Sequence, residues 1–361
     1  MVSERNNRHR FKQAIGAIIF AFLISSCSLT GMPIRNETEL LRDASATIQE
    51  IKAFERDLGL EPTQALAQTS EQRTPTSMLW FWLQRAGTLA LRDPIDVRLT
   101  LGFAKTKEEV PLDQVYRVDG YSVYYRQGNE FADPRSVATE SFAREGAVRQ
   151  VTVVIHEDLH GDSNFDLPWE IEESLITPLG SIAAVEFFKR RSDSSNLERA
   201  RERLDDERQL SRELGELVTA AEVIFSNESV ESAKQKIVAM IPSYPVYHRH
   251  FQRQIRGQHP ETAIEAKLSH DLAYYRHFDR IVALYETTQD LKALVRNLRK
   301  APRDAQAVTA YLQSLRPSNA VANLDSATVG DQSSTADTLI YSFGDISEMG
   351  QAQGSWRRTH R

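Results

Sequence analysis

Val151-Thr152-Val153-Val154-Ile155-His156-Glu157-Asp158-Leu159-His160 sets two histidines four residues apart, with a glutamate directly after the first. Val148, Val151, Val154, Ile155 and Leu159 recur at three-to-four spacing, so the stretch reads as a helix with one buried side. Positions i and i+4 of a helix lie one turn apart on the same face, which lets His156 and His160 aim two imidazoles at one ion. Glu157 then stands where a general base would be needed. Gly161 follows as a stop signal, and Gly161-Asp162-Ser163-Asn164-Phe165-Asp166 is rich in turn formers. Pro168 fits the first turn of a second helix that returns Glu170, Glu172 and Glu173 past the histidines. Glu173, thirteen residues after His160, is the expected third ligand, with Glu170 and Glu172 as competitors. Two histidines, a glutamate between them and a later carboxylate make the donor set of a zinc (Zn2+) peptidase. Asp158 is the odd member: it either faces solvent or marks a decayed site. The alternative for the whole stretch is a solvated amphipathic helix with two incidental histidines.

Upstream, Glu37 to Leu58 carries Leu41, Ala44, Ile48, Ile51 and Leu58 on one stripe, with Gly59 as its stop. Glu61 to Ser77 has no period and reads as an exposed loop. Trp80, Phe81 and Trp82 read as core or as a packed wall, with a substrate-facing aromatic as the second reading. Ile95, Val97, Leu99, Leu101 and Phe103 alternate with polar or small residues, and a second strand is expected from about Val115 to Tyr125. An edge strand of such a sheet would offer a peptide backbone a partner by strand addition.

Downstream, the second helix runs to Lys189, bent or restarted at Pro178. Ser195-Asn196-Leu197-Glu198 reads as a capping box opening a densely charged helix, one limb of a hairpin arm at about 195–241 with a solvated charged face. A long helix is expected from Glu261 to about Tyr285 and a last one over 303–315. His248, His250 and His277 read as surface or packing residues. The fold class that follows is mainly α (α+β): a zincin-like helical metallopeptidase core over 37–316, a small β-sheet before the HExxH helix and a long helical hairpin after it. From residue 317 to 361 the composition predicts a disordered tail.

The first 26 residues read as a leader. Arg5, Arg8, Arg10 and Lys12 form a basic head before an apolar run from Ala14 to Leu23, and Ile24-Ser25-Ser26-Cys27 has the form of a bacterial lipobox. Cys27, the chain's only cysteine, is then the lipidation site, residues 27–36 are a tether, and no disulfide forms. The alternative is an uncleaved N-terminal anchor with an incidental cysteine. Ser28 after the cysteine fits a lipoprotein of the outer membrane facing the periplasm. Loss of a leader of charge +3 takes the chain from −6 to −9. Such an acidic chain, without basic patches carrying interleaved aromatics, argues against nucleic acid as a partner. The expected partners are a peptide substrate and a membrane, reached through the lipid anchor.

Four stretches resemble the bacterial predicted zinc aminopeptidase family, many of whose members are lipoproteins. They are Ile51–Leu60, Gly120–Tyr125 with Ala132-Asp133-Pro134, the HExxH with Glu173-Ser174, and Ala266-Lys267-Leu268 followed by Tyr274. Asp158, Glu172 and Glu265 stand where the family carries a small or apolar residue, Asn and Asn. The resemblance spans about Thr47 to Arg299. It implies zinc held by His156, His160 and Glu173, Glu157 as base, and aminopeptidase-like hydrolysis. A donor must then steady the oxyanion: Tyr274 first and His270 second, one turn apart on one helix. Glu170 is the guess for an α-amine contact. The competing readings are a zinc endopeptidase acting on envelope proteins, and a non-catalytic helical scaffold with a decayed site.

Overall fold

The computed structural model describes residues 36–76, 78–89, 101–104, 120–165 and 167–315. All of these belong to one compact unit; residues 318–361 lie outside the described residues. The leader, Cys27 and the tail expected to be disordered also lie outside them. Among the described residues no helix is long and apolar enough to cross a membrane.

The chain is mainly helical with one small antiparallel sheet. In order it forms α1 (Glu37–Leu58), β1 (Met78–Arg85), β2 (Leu101–Ala104), β3 (Tyr121–Gly128), α2 (Glu140–Ala143), α3 (Ala147–Gly161) and α4 (Trp169–Arg190). There follow α5 (Ser194–Asn227), α6 (Val230–Met240), α7 (Pro245–Gln254), α8 (Pro260–Tyr275), α9 (Phe278–Thr288), α10 (Leu291–Leu298) and α11 (Ala305–Ser314). The sheet order is β2-β1-β3, so the Trp-Phe-Trp stretch is the central strand. Three aromatics in a row give no period because both faces are covered. Trp82 joins one apolar cluster with Tyr124, while Leu79, Phe81 and Leu83 form another. The strand expected from Val115 runs, as described, from Tyr121 to Gly128. Of the strand expected from Ile95, the part before Leu101 lies outside the described residues.

Two large apolar clusters divide the helices. The first gathers α1, α3, α4, the start of α5, and α9 to α11. The second gathers the sheet, the rest of α5, and α6 to α8. The expected single helix from Glu261 to Tyr285 is broken at Arg276 and His277 for this reason: Ile264, Leu268 and Leu272 serve the second cluster, and Phe278, Ile281 and Val282 serve the first. Helix α4 runs unbroken through Pro178 instead of restarting there. Leu175, Ile176, Leu179 and Ile182 are almost fully buried around it. Each contributes about 1.5–3 kcal/mol of burial, enough together to offset one lost hydrogen bond.

Several local expectations are corrected by contacts from elsewhere in the chain. The Glu61–Ser77 loop is not simply exposed: Ala65, Leu66 and Thr69 are buried, and the Leu66 and Ser70 amides donate to the Ser136 and Ala138 carbonyls. Helix α5 is capped by Asp193, whose side chain accepts from the Asn196 amide, rather than by Ser195. Nor is its charged face wholly solvated: Glu213 is buried and accepts from the Val246 and Tyr247 amides at the start of α7. Gly161 ends α3 without a left-handed turn; a Cβ there would meet the Thr63 methyl at 2.1 Å, so close approach, not capping, requires glycine.

Candidate metal centre

Helix α3 supplies His156 and His160, and α4 supplies Glu173. Their packing depends on a glycine: a Cβ at Gly180 would lie 3.0 Å from the Thr152 carbonyl oxygen and 3.6 Å from His156 Cβ. With that contact open, His156 Nε2 lies 3.4 Å from Glu173 Oε2, and His160 Nε2 lies 3.2 Å from Glu173 Oε1. One donor atom from each of the three residues falls within 4.8 Å of the others.

These distances test whether the residues fit a metal. Charge-assisted N–H···O bonds settle at about 2.7–2.9 Å, shorter than either contact. Donors bound at about 2.0–2.1 Å around a tetrahedral ion lie roughly 3.3 Å apart, which matches both. Glu173 Oε2 is buried without a hydrogen-bond partner, an orphan that an ion would satisfy. The triad therefore has the spacing and the unmet demand of a cation site.

The electrostatics agree. Burial pushes the Glu173 carboxyl up, but the two facing imidazoles outweigh it and hold the group far below the usual range. Burial pushes His160 down, and the charges of Glu173 and Glu172 more than reverse it. Glu172, a competitor for the third-ligand place, does not take it. Instead its Oε2 lies 3.4 Å from His160 Nδ1, the imidazole nitrogen not turned to Glu173. At that length the pair is an electrostatic contact rather than a full hydrogen bond, and it places a negative charge on the side of the ring where partners of ligating histidines sit. Glu157 is buried beside the triad, its carboxyl raised first by burial and also by the Glu173 charge. The side chain of Glu170 lies outside the described residues.

Asp158 neither faces solvent nor enters the site. It is buried on the opposite side of α3, 2.5 Å from Lys52 Nζ on α1, and it accepts from the Thr63 amide at 3.0 Å and from the Thr63 hydroxyl. Glu55 beside it is pushed up to about 10, by burial and then by the Asp158 charge, and is neutral at pH 7. Glu265, another departure from the family pattern, is likewise buried and partnered, accepting from the Gly87 amide at 3.1 Å and facing Lys234 at 3.3 Å.

A cavity of about 220 Å³ opens beside the triad, with Glu157, His160 and Glu173 in its floor and Trp80, Trp82, Tyr124, Trp169, His270 and Tyr274 in its walls. The Tyr274 ring stacks on His156 with centroids 6.3 Å apart. Burial, then the Glu173 charge, holds its hydroxyl proton well beyond the usual range, so it can donate a hydrogen bond at neutral pH. His270 cannot take that role while neutral. Its Nδ1 lies 3.0 Å from Asp271, whose carboxyl is held low by Lys267 and His250 against burial. The ionised carboxylate only accepts, so Nδ1 carries the proton and Nε2 is left an acceptor. Burial also pushes His270 down to about 4. Arg126 on β3 enters the cavity wall as well, a residue that sequence reading missed. Its signal was the strand period: it lies two residues beyond Tyr124 and therefore on the same face.

No protein-family model matches the chain, and no curated protein or solved structure is significantly similar to it. Function has to be read from the site itself.

Proposed function

We propose that this chain hydrolyses peptide bonds with zinc held by His156, His160 and Glu173. The observation that carries the reading is the pair of 3.4 and 3.2 Å nitrogen–oxygen separations, beside a glutamate suited to act as base. An HExxH helix followed by a ligand-bearing helix, and preceded by a small sheet, is also the arrangement of a zincin-like core. Zinc at such a site supplies Lewis acidity and lowers the pKa of water toward ~7. Glu157 takes the proton of the attacking water on its carboxylate and later delivers it to the leaving nitrogen. Glu172 sets its charge beside the His160 ring, and the Tyr274 hydroxyl donates to the developing oxyanion. The aromatic walls exclude bulk water and strengthen each of these contacts. Burial of Asp158 against Lys52, away from the three donors, supports an intact site.

The test is metal content of the full chain purified in detergent, compared with H156A and E173A. About one zinc per chain, lost in both variants, together with cleavage of a peptide pool that stops in E157Q, is the expected result. No bound zinc after reconstitution would overturn the reading in favour of a helical scaffold. For the envelope address, lipidation of Cys27 predicts that C27S leaves the membrane fraction. Retention there would point to an uncleaved anchor.

A further inference from the structure

Among the described residues, Arg126 is the one cation in the cavity wall with no acid at ion-pair distance. Its guanidinium lies 4.4 Å from the centroid of Trp80, its cross-strand neighbour, and 5.7 Å from that of Tyr274. Among the described residues its hydrogen bond is a single one, donated to the Tyr274 hydroxyl at 3.4 Å, and none of their carboxylates reaches ion-pair distance. The negative charges that bear on it are those of Glu173 and Glu157, the metal ligand and the base. Burial works against that charge, but Tyr274, Tyr124, Glu173 and Glu157 together outweigh it, so the guanidinium stays charged while its planar fork meets no carboxylate among the described residues; such a fork fits a carboxylate with two parallel bonds. An α-ammonium would be repelled by Arg126. Among the described lining residues it would find no acid besides Glu157 and Glu173.

Scale agrees with chemistry. Arg126 touches Tyr274, and Tyr274 stacks on His156. A terminal carboxylate sits one residue, about 3.5 Å, from the bond to be cut. A cavity of about 220 Å³ is smaller than the roughly 300–1,000 Å³ of sites for drug-sized ligands, and it suits one residue rather than a stretch of chain.

Resting on the hydrolase reading above, we propose that the site takes peptides by their carboxy-terminal residue, with Arg126 holding the terminal carboxylate and Trp80, Trp82, Tyr124 and Trp169 enclosing a large apolar side chain. Water adds its hydroxyl to the penultimate carbonyl carbon, and the carbon–nitrogen bond breaks. The water proton passes through Glu157 to the nitrogen, releasing a free amino acid and a peptide with a new carboxylate. The direction is the opposite of the one the family resemblance implies.

Binding can be read without metal, because three of the chain's four tryptophans line the cavity. Metal-stripped full chain in detergent is titrated with N-acetylphenylalanine, with its amide, and with phenylalanine amide, following tryptophan fluorescence. The acid is expected to bind at least about 10-fold more tightly than its amide, and phenylalanine amide weakest. R126Q should abolish the preference and R126K keep part of it, with unchanged circular dichroism and zinc content in both. Equal binding of acid and amide, tightest binding of phenylalanine amide, or an undiminished preference in folded R126Q would each overturn the proposal. Zinc-loaded chain is then given benzoyl-glycyl-phenylalanine, its amide, and glycyl-phenylalanine amide, which has a free amino terminus and no carboxylate. An acid preference in binding with no cleavage of any peptide leaves the anchor standing and sinks the hydrolase reading. Cleavage that requires a free amino terminus and ignores the carboxylate does the reverse.

Discussion

The two sides of the cavity are built by different kinds of information. The candidate metal side comes from α3 and α4, neighbours in sequence joined by a short loop: helical spacing sets His156 and His160, and the close approach of the two helices at Gly180 sets Glu173 against them. The opposite side is assembled from Trp80 on β1, Tyr124 and Arg126 on β3, and His270 and Tyr274 on α8, segments as much as 194 residues apart. The two sides meet where Tyr274 stacks on His156 and where Trp82 packs on Trp169, with ring centroids 6.3 and 5.3 Å apart.

The sharpest way to break that comparison is to strike each side separately. E157Q is expected to lower turnover by about 10²–10⁴-fold with zinc stoichiometry intact. R126Q should leave zinc content unchanged as well and raise KM for acid substrates far more than it lowers kcat. If R126Q also empties the metal site, the two sides are one unit. Next in size is the support behind α3. Breaking the buried Lys52–Asp158 pair by K52M or D158N is expected to cost about 3–5 kcal/mol, because one charge or its partners are left unmet; urea unfolding of both variants measures it. A loss below about 1 kcal/mol would mean that the pair is incidental.

Glu172 sharpens the metal side further. E172Q keeps a hydrogen-bonding group near His160 Nδ1 but no charge, and should weaken zinc affinity by about 10–100-fold in a chelator competition. An unchanged affinity would return Glu172 to a purely structural role. The smallest effect expected lies away from the cavity. His277, at the break between α8 and α9, is pushed down to about 4 by burial and then by Arg276. Its folded pKa lies below its unfolded value, so the unfolded chain binds more protons between about pH 6.5 and 4. That contribution is fully present above pH 6.5 and is lost as pH falls through this window. H277Q should flatten this part of the stability–pH curve, measured as the denaturation midpoint; an unchanged slope would clear His277 of the role.

What was legible in the sequence follows the same division. Helix α1 with its Gly59 stop and the HExxH helix are coded by residues within a turn or two of one another, and periodicity reads them directly; Glu173, on the next helix, was read from its spacing and from the family resemblance. Arg126 and the central position of β1 are set by strand register, and pairing partners some 45 residues away leave no local mark. The break at Arg276 and His277 was hidden for another reason. Both halves are good helix, and only the change from one apolar cluster to the other demands the turn. Asp158 was misjudged because its partner Lys52 is more than a hundred residues earlier.

That pairing has a mechanical side. Lys52 and Asp158 rivet the first described helix to the back of the helix that bears both histidines, deep enough that neither charge can part from the other without being stranded. A pull applied at the amino-terminal end of α1 is therefore carried straight into α3. The two histidines lie on the load path, and the chain cannot be drawn out from that end while they stay at rest.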